Sequence, residues 1–268
     1  MKLIVTPKNL AAVLTIIVVG LILTHIGTQY LKYISGYRDS LGFLRLFNVD
    51  QELSIPSWYS SSTLLLTSIF LVFIGLARKR EGDRYALHWL MLSAIFLYLS
   101  LDEAAMIHEM AIWPLRKQFP RYTSGYLYYA WVIPGGAVVL VLAVTYLRFL
   151  AHLPVKTRYL CLLAGTLYVG GALGIELLGG KYNTLYGMEN FTYFLIVAGE
   201  EGMEMFGIVV FLYALSSYMA STSIGIHIII MHDSFPSKDA PPQSLSYRSE
   251  RRVAHERRSS RFQRQAGS

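Results

Sequence analysis

Residues 86–111 read ALHWLMLSAIFLYLSLDEAAMIHEMA, and the fold turns on how this stretch is read. From Ala86 to Leu101 there is no charged side chain; then Asp102, Glu103, His108 and Glu109 crowd into one end. A hydrocarbon core about 30 Å thick needs roughly 20 apolar residues of helix. The run is long enough, and apolarity on all sides without period-2 alternation argues for helix over barrel strand. Further segments of this kind lie at about 9–31, 60–77, 126–147, 159–179 and 190–215. The expected fold is therefore all-α, a polytopic membrane helix bundle of about six transmembrane helices. Apolar character persists weakly to Met231, leaving room for a short further span between 212 and 232.

Composition agrees. Of 268 residues, 54% are hydrophobic and 15% charged, with mean hydropathy +0.41. A soluble domain carries about a quarter charged residues, so an ordinary cytosolic enzyme is excluded. The net charge of +7 lies between apolar runs and in the C-terminal tail, which does not point to nucleic acid. The single cysteine, Cys161, sits inside an apolar run and leaves no disulfide or CxxC site. The first apolar segment is too long for a signal peptide and lacks a small-residue cleavage site, so it reads as retained.

Loop charge orients the bundle. With the N-terminus inside, Lys2, Lys8, Arg78, Lys79, Arg80, Arg84, Arg148, Lys156 and Arg158 fall in three short inner pieces. Lys32, Arg38, Arg45, Arg116, Lys117, Arg121 and Lys181 are spread over longer outer loops. Basic density favours both termini in the cytoplasm, with the bacterial inner membrane as the expected location. The chain divides into a transmembrane domain, 1–232, and a basic cytoplasmic tail, 233–268. Serines, Pro236, Pro241, Pro242, Arg251-Arg252 and Arg257-Arg258 make the tail too polar to fold. It reads as a solvated tail, or as a tether to anionic lipid headgroups. Residues 41–59 (LGFLRLFNVDQELSIPSWY) read as an outer loop at headgroup level or, alternatively, a lid over an outward site.

Acids carry the functional signal. Seven of the 17 fall inside expected spans: Asp102, Glu103, Glu109, Glu176, Glu200, Glu201 and Glu204. No Lys or Arg lies in the apolar body of any span. Each charge at mid-bilayer costs at least about 2.5–3.5 kcal/mol. Bound cations, protonation or a water-filled cavity must offset that. All seven, with His108 and His25, fall at one level in the outer leaflet. On one continuous helix Asp102 and Glu109 would nearly eclipse, and Glu200 and Glu204 share a face. Gly165, Gly170, Gly171, Gly174, Gly179 and Gly180 permit close approach to Glu176. Pro134-Gly135-Gly136 is expected to kink the helix of the fourth span or to open its backbone.

Carboxylates with an imidazole form the donor set of Fe, Mn or Zn sites. Four-helix di-iron sites use Glu-x-x-His, which is missing here; so are HExxH, Gly-x-Ser-x-Gly and the P-loop. Glu103, His108, Glu109, Glu176, Glu200 and Glu204 are the candidate metal ligands. Asp102 and Glu201 are candidates for a supporting partner or general base. Each piece also has a plainer structural reading, as an interfacial helix end, a protonated acid bonded to backbone or, for His25, a packing residue.

FNVDQELSIPSWYSS followed by LDEAAMIHE resembles a pattern in multi-pass bacterial membrane proteins, over roughly residues 43–110. The resemblance implies a fold class and no mechanism. The leading expectation is a metal-binding membrane protein, plausibly a metalloenzyme acting on a lipid or other apolar substrate from the outer leaflet. A cation- or proton-coupled transporter and a structural, partner-binding membrane protein are the alternatives.

Overall fold

The structure is a computed structural model describing residues 6–36, 42–51, 53–120, 123–222 and 224. Among these residues helix is the only regular secondary structure. Helix α1 (Pro7–Tyr33) starts where the Thr6 side chain accepts the Asn9 N–H at 3.2 Å, with Pro7 in the first turn. A short α2 (Phe43–Leu46) precedes α3 (Ile55–Arg80), which Ser54 caps through the Ser57 N–H at 3.2 Å. Then come α4 (Ala86–Ala105), α5 (Ile112–Gln118), α6 (Val132–His152) and α7 (Val155–Val169). A π-helical turn, Gly170–Ile175, joins α7 to α8 (Glu176–Tyr186) in one continuous rod. Asn190 caps α9 (Phe191–Ser221) through the Tyr193 N–H at 3.0 Å.

Five of these rods are long and apolar enough to cross a membrane: α1, α3, α4, α6 and the continuous Val155–Tyr186. The chain has the build of a multi-pass membrane protein. The sixth expected segment, 190–215, is α9, the most deeply packed helix and the carrier of Glu200, Glu201 and Glu204. Its described length ends at Ser221. The expected tail, 233–268, lies outside the described residues.

Packing centres on α9, against which α1, α3, α7 and α8 all lie. Leu14, Val18 and Leu21 of α1 meet Tyr59 and Leu64 of α3 and Val197, Met205 and Leu212 of α9. Toward the other end, Leu71, Ile74, Trp89, Phe149, Ala164 and Leu215 close a second apolar cluster. Helices α3 and α4 form an antiparallel hairpin held by serines. The Ser61 hydroxyl donates to the Ser100 carbonyl at 2.8 Å, and Ser100 returns the bond to Ser61 at 2.8 Å. Ser68 and Ser93 repeat the exchange two turns away, at 2.8 and 3.0 Å. In lipid, small hydroxyl residues allow close backbones while satisfying every polar atom.

Two expectations change here. The third span does not run helically to residue 111. It ends at Ala105, Met106 adopts φ 52°, and a 3₁₀ turn occupies Glu109–Ala111. The cause is local: both Asp102 carboxylate oxygens are taken by His108, one by its backbone N–H at 2.7 Å. A side-chain acceptor competing for that amide draws the chain out of the helix, so the expected eclipsing of Asp102 and Glu109 does not occur. Likewise, Pro134-Gly135-Gly136 falls in the first turn of α6 and not mid-span. Proline is tolerated there because its missing N–H would have no helical partner, and α6 runs on from it as one helix to His152 in place of the expected kink or opened backbone.

A tight helix contact lies at Gly207 of α9, where a Cβ would meet the Tyr168 amide nitrogen at 2.9 Å and the Ala164 carbonyl at 3.0 Å. Both obstacles are backbone, so Gly207→Ala must push α7 off α9. A loss of about 1–3 kcal/mol is expected, read as a lowered melting temperature of the purified protein in detergent. Gly20→Ala, whose Cβ meets nothing within 4 Å, should leave the melting temperature unchanged or raise it slightly.

Candidate functional site

The sixth expected span brings its acids to the centre of the bundle because α9 runs through that centre. Opposite them, the glycines of the π-helical turn remove side chains: a Cβ on Gly171 would lie 2.7 Å from the Glu200 carbonyl and 2.9 Å from Glu204 Cγ. A π turn inserts an extra residue into the helical register and so re-aims the side chains beyond it. Glu176 is the first residue after the turn. The carboxyl groups of Glu176 and Glu200 lie within hydrogen-bonding reach of one another. Glycine at 171 and the π turn therefore serve the same end, bringing α8 and α9 acids together.

From α4 comes a carboxylate–imidazole pair. Asp102 Oδ2 lies 2.9 Å from His108 Nδ1, and the His108 ring packs on Trp131 with centroids 4.6 Å apart. Trp131 in turn donates its indole N–H to Glu176 Oε1 at 3.2 Å. Asp102 thus orients His108 through Nδ1, and Nε2 is the other ring nitrogen. Burial lowers the basicity of His108, but the Asp102 carboxylate, with Glu176 and Glu109, more than offsets it, so its pKa rises above the usual value.

Sequence reasoning named the loop before α3 as a headgroup-level stretch or a lid but did not single out Asp50 within it. His25 of α1 is fully buried (0% exposed) and spans two partners. Its Nδ1 accepts the Val49 N–H at 3.2 Å, which places the ring proton on Nε2, facing the Phe194 carbonyl at 3.2 Å. The next residue, Asp50, interacts electrostatically with Glu109, Glu176, Glu189 and Glu201. The only sequence signal for Asp50 was its place in FNVDQEL, inside the stretch that carries the family resemblance. Beside it, the Tyr129 and Tyr193 hydroxyls lie 2.6 Å apart, and Asn183 donates to Tyr129 at 3.3 Å.

The expected site residues thus come into one electrostatic neighbourhood. Glu201 faces Glu103, Glu204, Asp50 and Glu176, while Glu204 faces Glu103, Glu176 and Asp102. Asp102, Glu103, His108, Glu176, Glu200, Glu201 and Glu204 are all half-buried, whereas Asp50 and Glu109 are exposed. Such groups are crowded by protein yet retain surface, and the acidic surface they share is termed the crevice. Beneath it a small cavity of about 10 Å³ is bounded by Ser60, Thr63, Glu103, Tyr168 and Glu204, which is about the room one water centre needs. Among the described residues the ion pairs are Lys32–Glu189, Arg78–Glu81, His108–Asp102 and His152–Asp83. Asp50, Asp102, Glu109, Glu176, Glu200, Glu201 and Glu204 thus have no Lys or Arg paired with them there. Nor, among the described residues, do three His, Cys, Asp or Glu side chains stand close enough to hold a metal ion as they are.

The family described as a domain of unknown function (DUF8692) matches residues 11–218, more than half of the chain, so the chain belongs to that family. No curated protein and no solved structure matches it. The matched span includes every crevice residue from Asp50 to Glu204.

Asp50 offers a pH test. Protein crowding strips water from its carboxyl and the charges of Glu109, Glu176 and Glu189 repel its ionised form, pushing its pKa from 3.8 up to about 7. The folded chain then holds this proton more tightly than the unfolded chain. Asp50 therefore favours folding least above about pH 7, and its contribution declines as pH rises from about 4 to about 7. Difference infrared spectra between pH 5 and pH 8 should show a protonated carboxyl band that Asp50→Asn abolishes. The same variant should flatten the fall in melting temperature across that window.

Proposed function

We propose that this member of the DUF8692 family crosses the membrane six times with both termini in the cytoplasm, and that its outward-facing crevice binds a divalent metal ion. One observation carries the reading: Asp50, Asp102, Glu109, Glu176, Glu200, Glu201 and Glu204 share a neighbourhood with no lysine or arginine pairing them among the described residues. Carboxylates so placed need positive charge from outside the chain. Protons meet part of that need, and an ion taken up from the outer side meets the rest.

Donor chemistry suits Fe, Mn or Zn. Glu103, Glu109, Glu176, Glu200 and Glu204 offer oxygen, and His108 offers Nε2. Asp102 fixes the imidazole as carboxylates commonly do behind metal-bound histidines. A bound ion of this kind would supply Lewis acidity and an activated water near neutral pH. Around it, Trp131 steadies Glu176, and Glu201, beside the other acids, is available to take a proton. An outer-leaflet crevice walled by apolar helices suits a lipid or other apolar substrate, and the bacterial inner membrane is the expected location.

A second reading, a cation- or proton-coupled carrier, draws on the Glu176–Glu200 pair. Two carboxyl groups in hydrogen-bonding reach share a proton unless a cation bridges them. The buried cluster of Leu71, Ile74, Trp89, Phe149 and Leu215 lies on the far side of the crevice, and transport requires that layer to open. The metal reading ranks first because transport demands this additional change.

Elemental analysis of the full chain purified in detergent separates the readings. Near-stoichiometric divalent metal is expected, falling about tenfold or more in Glu204→Gln. A wild-type chain without metal, together with pH-driven flux into proteoliposomes that Glu200→Gln abolishes, would replace it with the carrier reading.

A further inference from the structure

Two close contacts, about one turn apart on each helix, fix how α7 and its π-helical turn lie on α9. A Cβ on Gly171 would sit 2.9 Å from Glu204 Cγ, and a Cβ on Gly207 would sit 2.9 Å from the Tyr168 amide nitrogen and 3.1 Å from its Cβ. Residues three apart share a helix face, so Tyr168 stands opposite Gly207 and Glu204 opposite Gly171. Each bulky side chain is seated over the other helix's glycine. Both border the cavity of about 10 Å³, which Ser60 and Thr63 of α3 and apolar Leu64 and Ile208 also wall. The Ser60 and Tyr168 hydroxyls and the Glu204 carboxyl make no hydrogen bond to any described residue. The Thr63 hydroxyl donates to the Ser60 carbonyl at 3.0 Å and keeps its capacity to accept. Polar groups inside a bundle are costly without partners, and nearly all of them have one. An internal water makes about three hydrogen bonds and needs about one probe sphere of room. This cavity offers both.

We propose that the cavity between α3, α7 and α9 is a binding site for one water molecule, which hydrogen-bonds the Glu204 carboxyl and the Tyr168 and Ser60 hydroxyls. Water suits these walls better than a metal ion. Hydroxyls donate as well as accept, and among the described residues no three His, Cys, Asp or Glu side chains stand close enough to hold a metal ion. The water gives Glu204 a partner in either protonation state: it donates to the carboxylate and, turned round, accepts from the carboxylic acid. Tyr168 is the positioning residue, because the Gly207 contact fixes its backbone and its hydroxyl can follow the water in both orientations. The site does not rest on the metal reading. Ion binding and proton coupling alike require Glu204 to change protonation without repacking the helices around it.

Infrared difference spectra of the detergent-purified full chain, taken in ordinary water and in ¹⁸O-labelled water, test the site. The wild-type minus Tyr168→Phe spectrum is expected to contain a water O–H stretch that shifts on ¹⁸O exchange, because the variant loses the bound water. The band of Glu204, identified as the one that Glu204→Gln removes, should shift in Tyr168→Phe, since its carboxyl loses a hydrogen bond. Ser60→Ala should move the Glu204 band in the same direction, and it keeps the test open if Tyr168→Phe does not fold. Absence of an ¹⁸O-sensitive band from the wild-type minus Tyr168→Phe spectrum would overturn the inference. So would a Glu204 band that stays in place in both Tyr168→Phe and Ser60→Ala, because the water would then lie elsewhere. A wild-type melting temperature that rises with Na⁺ or K⁺, and no longer does so in Tyr168→Phe, would make the occupant a cation and overturn it as well. None of these readouts depends on divalent metal. Loss of the metal reading by elemental analysis and loss of this site are therefore distinguishable.

Discussion

Carboxylates that no lysine or arginine pairs among the described residues, held among apolar helices, dictate how this bundle is put together. Water screens such charges and hydrocarbon does not. The acids must therefore keep some contact with water, share protons or attract cations. The fold leaves room for the first: the crevice residues on α4, α8 and α9 are half-buried and keep part of their surface. The second is served where Glu176 and Glu200 come within hydrogen-bonding reach. The third is what the proposed function draws on.

That arrangement depends on helix contacts too close for ordinary side chains. Gly207 sets α9 against the α7 backbone, and Gly171 sets the π-helical turn against the Glu200 carbonyl. The α3–α4 hairpin is tied by reciprocal serine bonds, which satisfy their polar atoms locally. Behind the crevice the apolar layer around Trp89 and Leu215 closes the bundle. The Asp102–His108 pair and Trp131, which donates to Glu176, lie with the crevice acids.

Much of this was legible in the chain. Span positions derive from length and apolarity, which are local properties, and the helices cover the expected segments with ends displaced by several residues. The acids were legible as a group because they lack basic neighbours in the same spans. The end of α4 was not, because it depends on Asp102 capturing the His108 amide. A periodicity argument assumes that the helix continues and cannot register a side chain that competes with it. Asp50 was missed for a different reason: its loop has no period, and the loop's place depends on a histidine 24 positions before Val49.

Hydrophobic length and uncompensated charge are properties of segments, so the chain read alone establishes a helical membrane protein with an acidic level in its spans. It also names most of the crevice residues. Which acids meet, which imidazole is oriented, and that a loop residue joins them are matters of three-dimensional packing. They depend on helix rotation, on the register shift of one π turn and on a buried ring bridging two distant backbone groups. Each is set between elements, where no single segment encodes it.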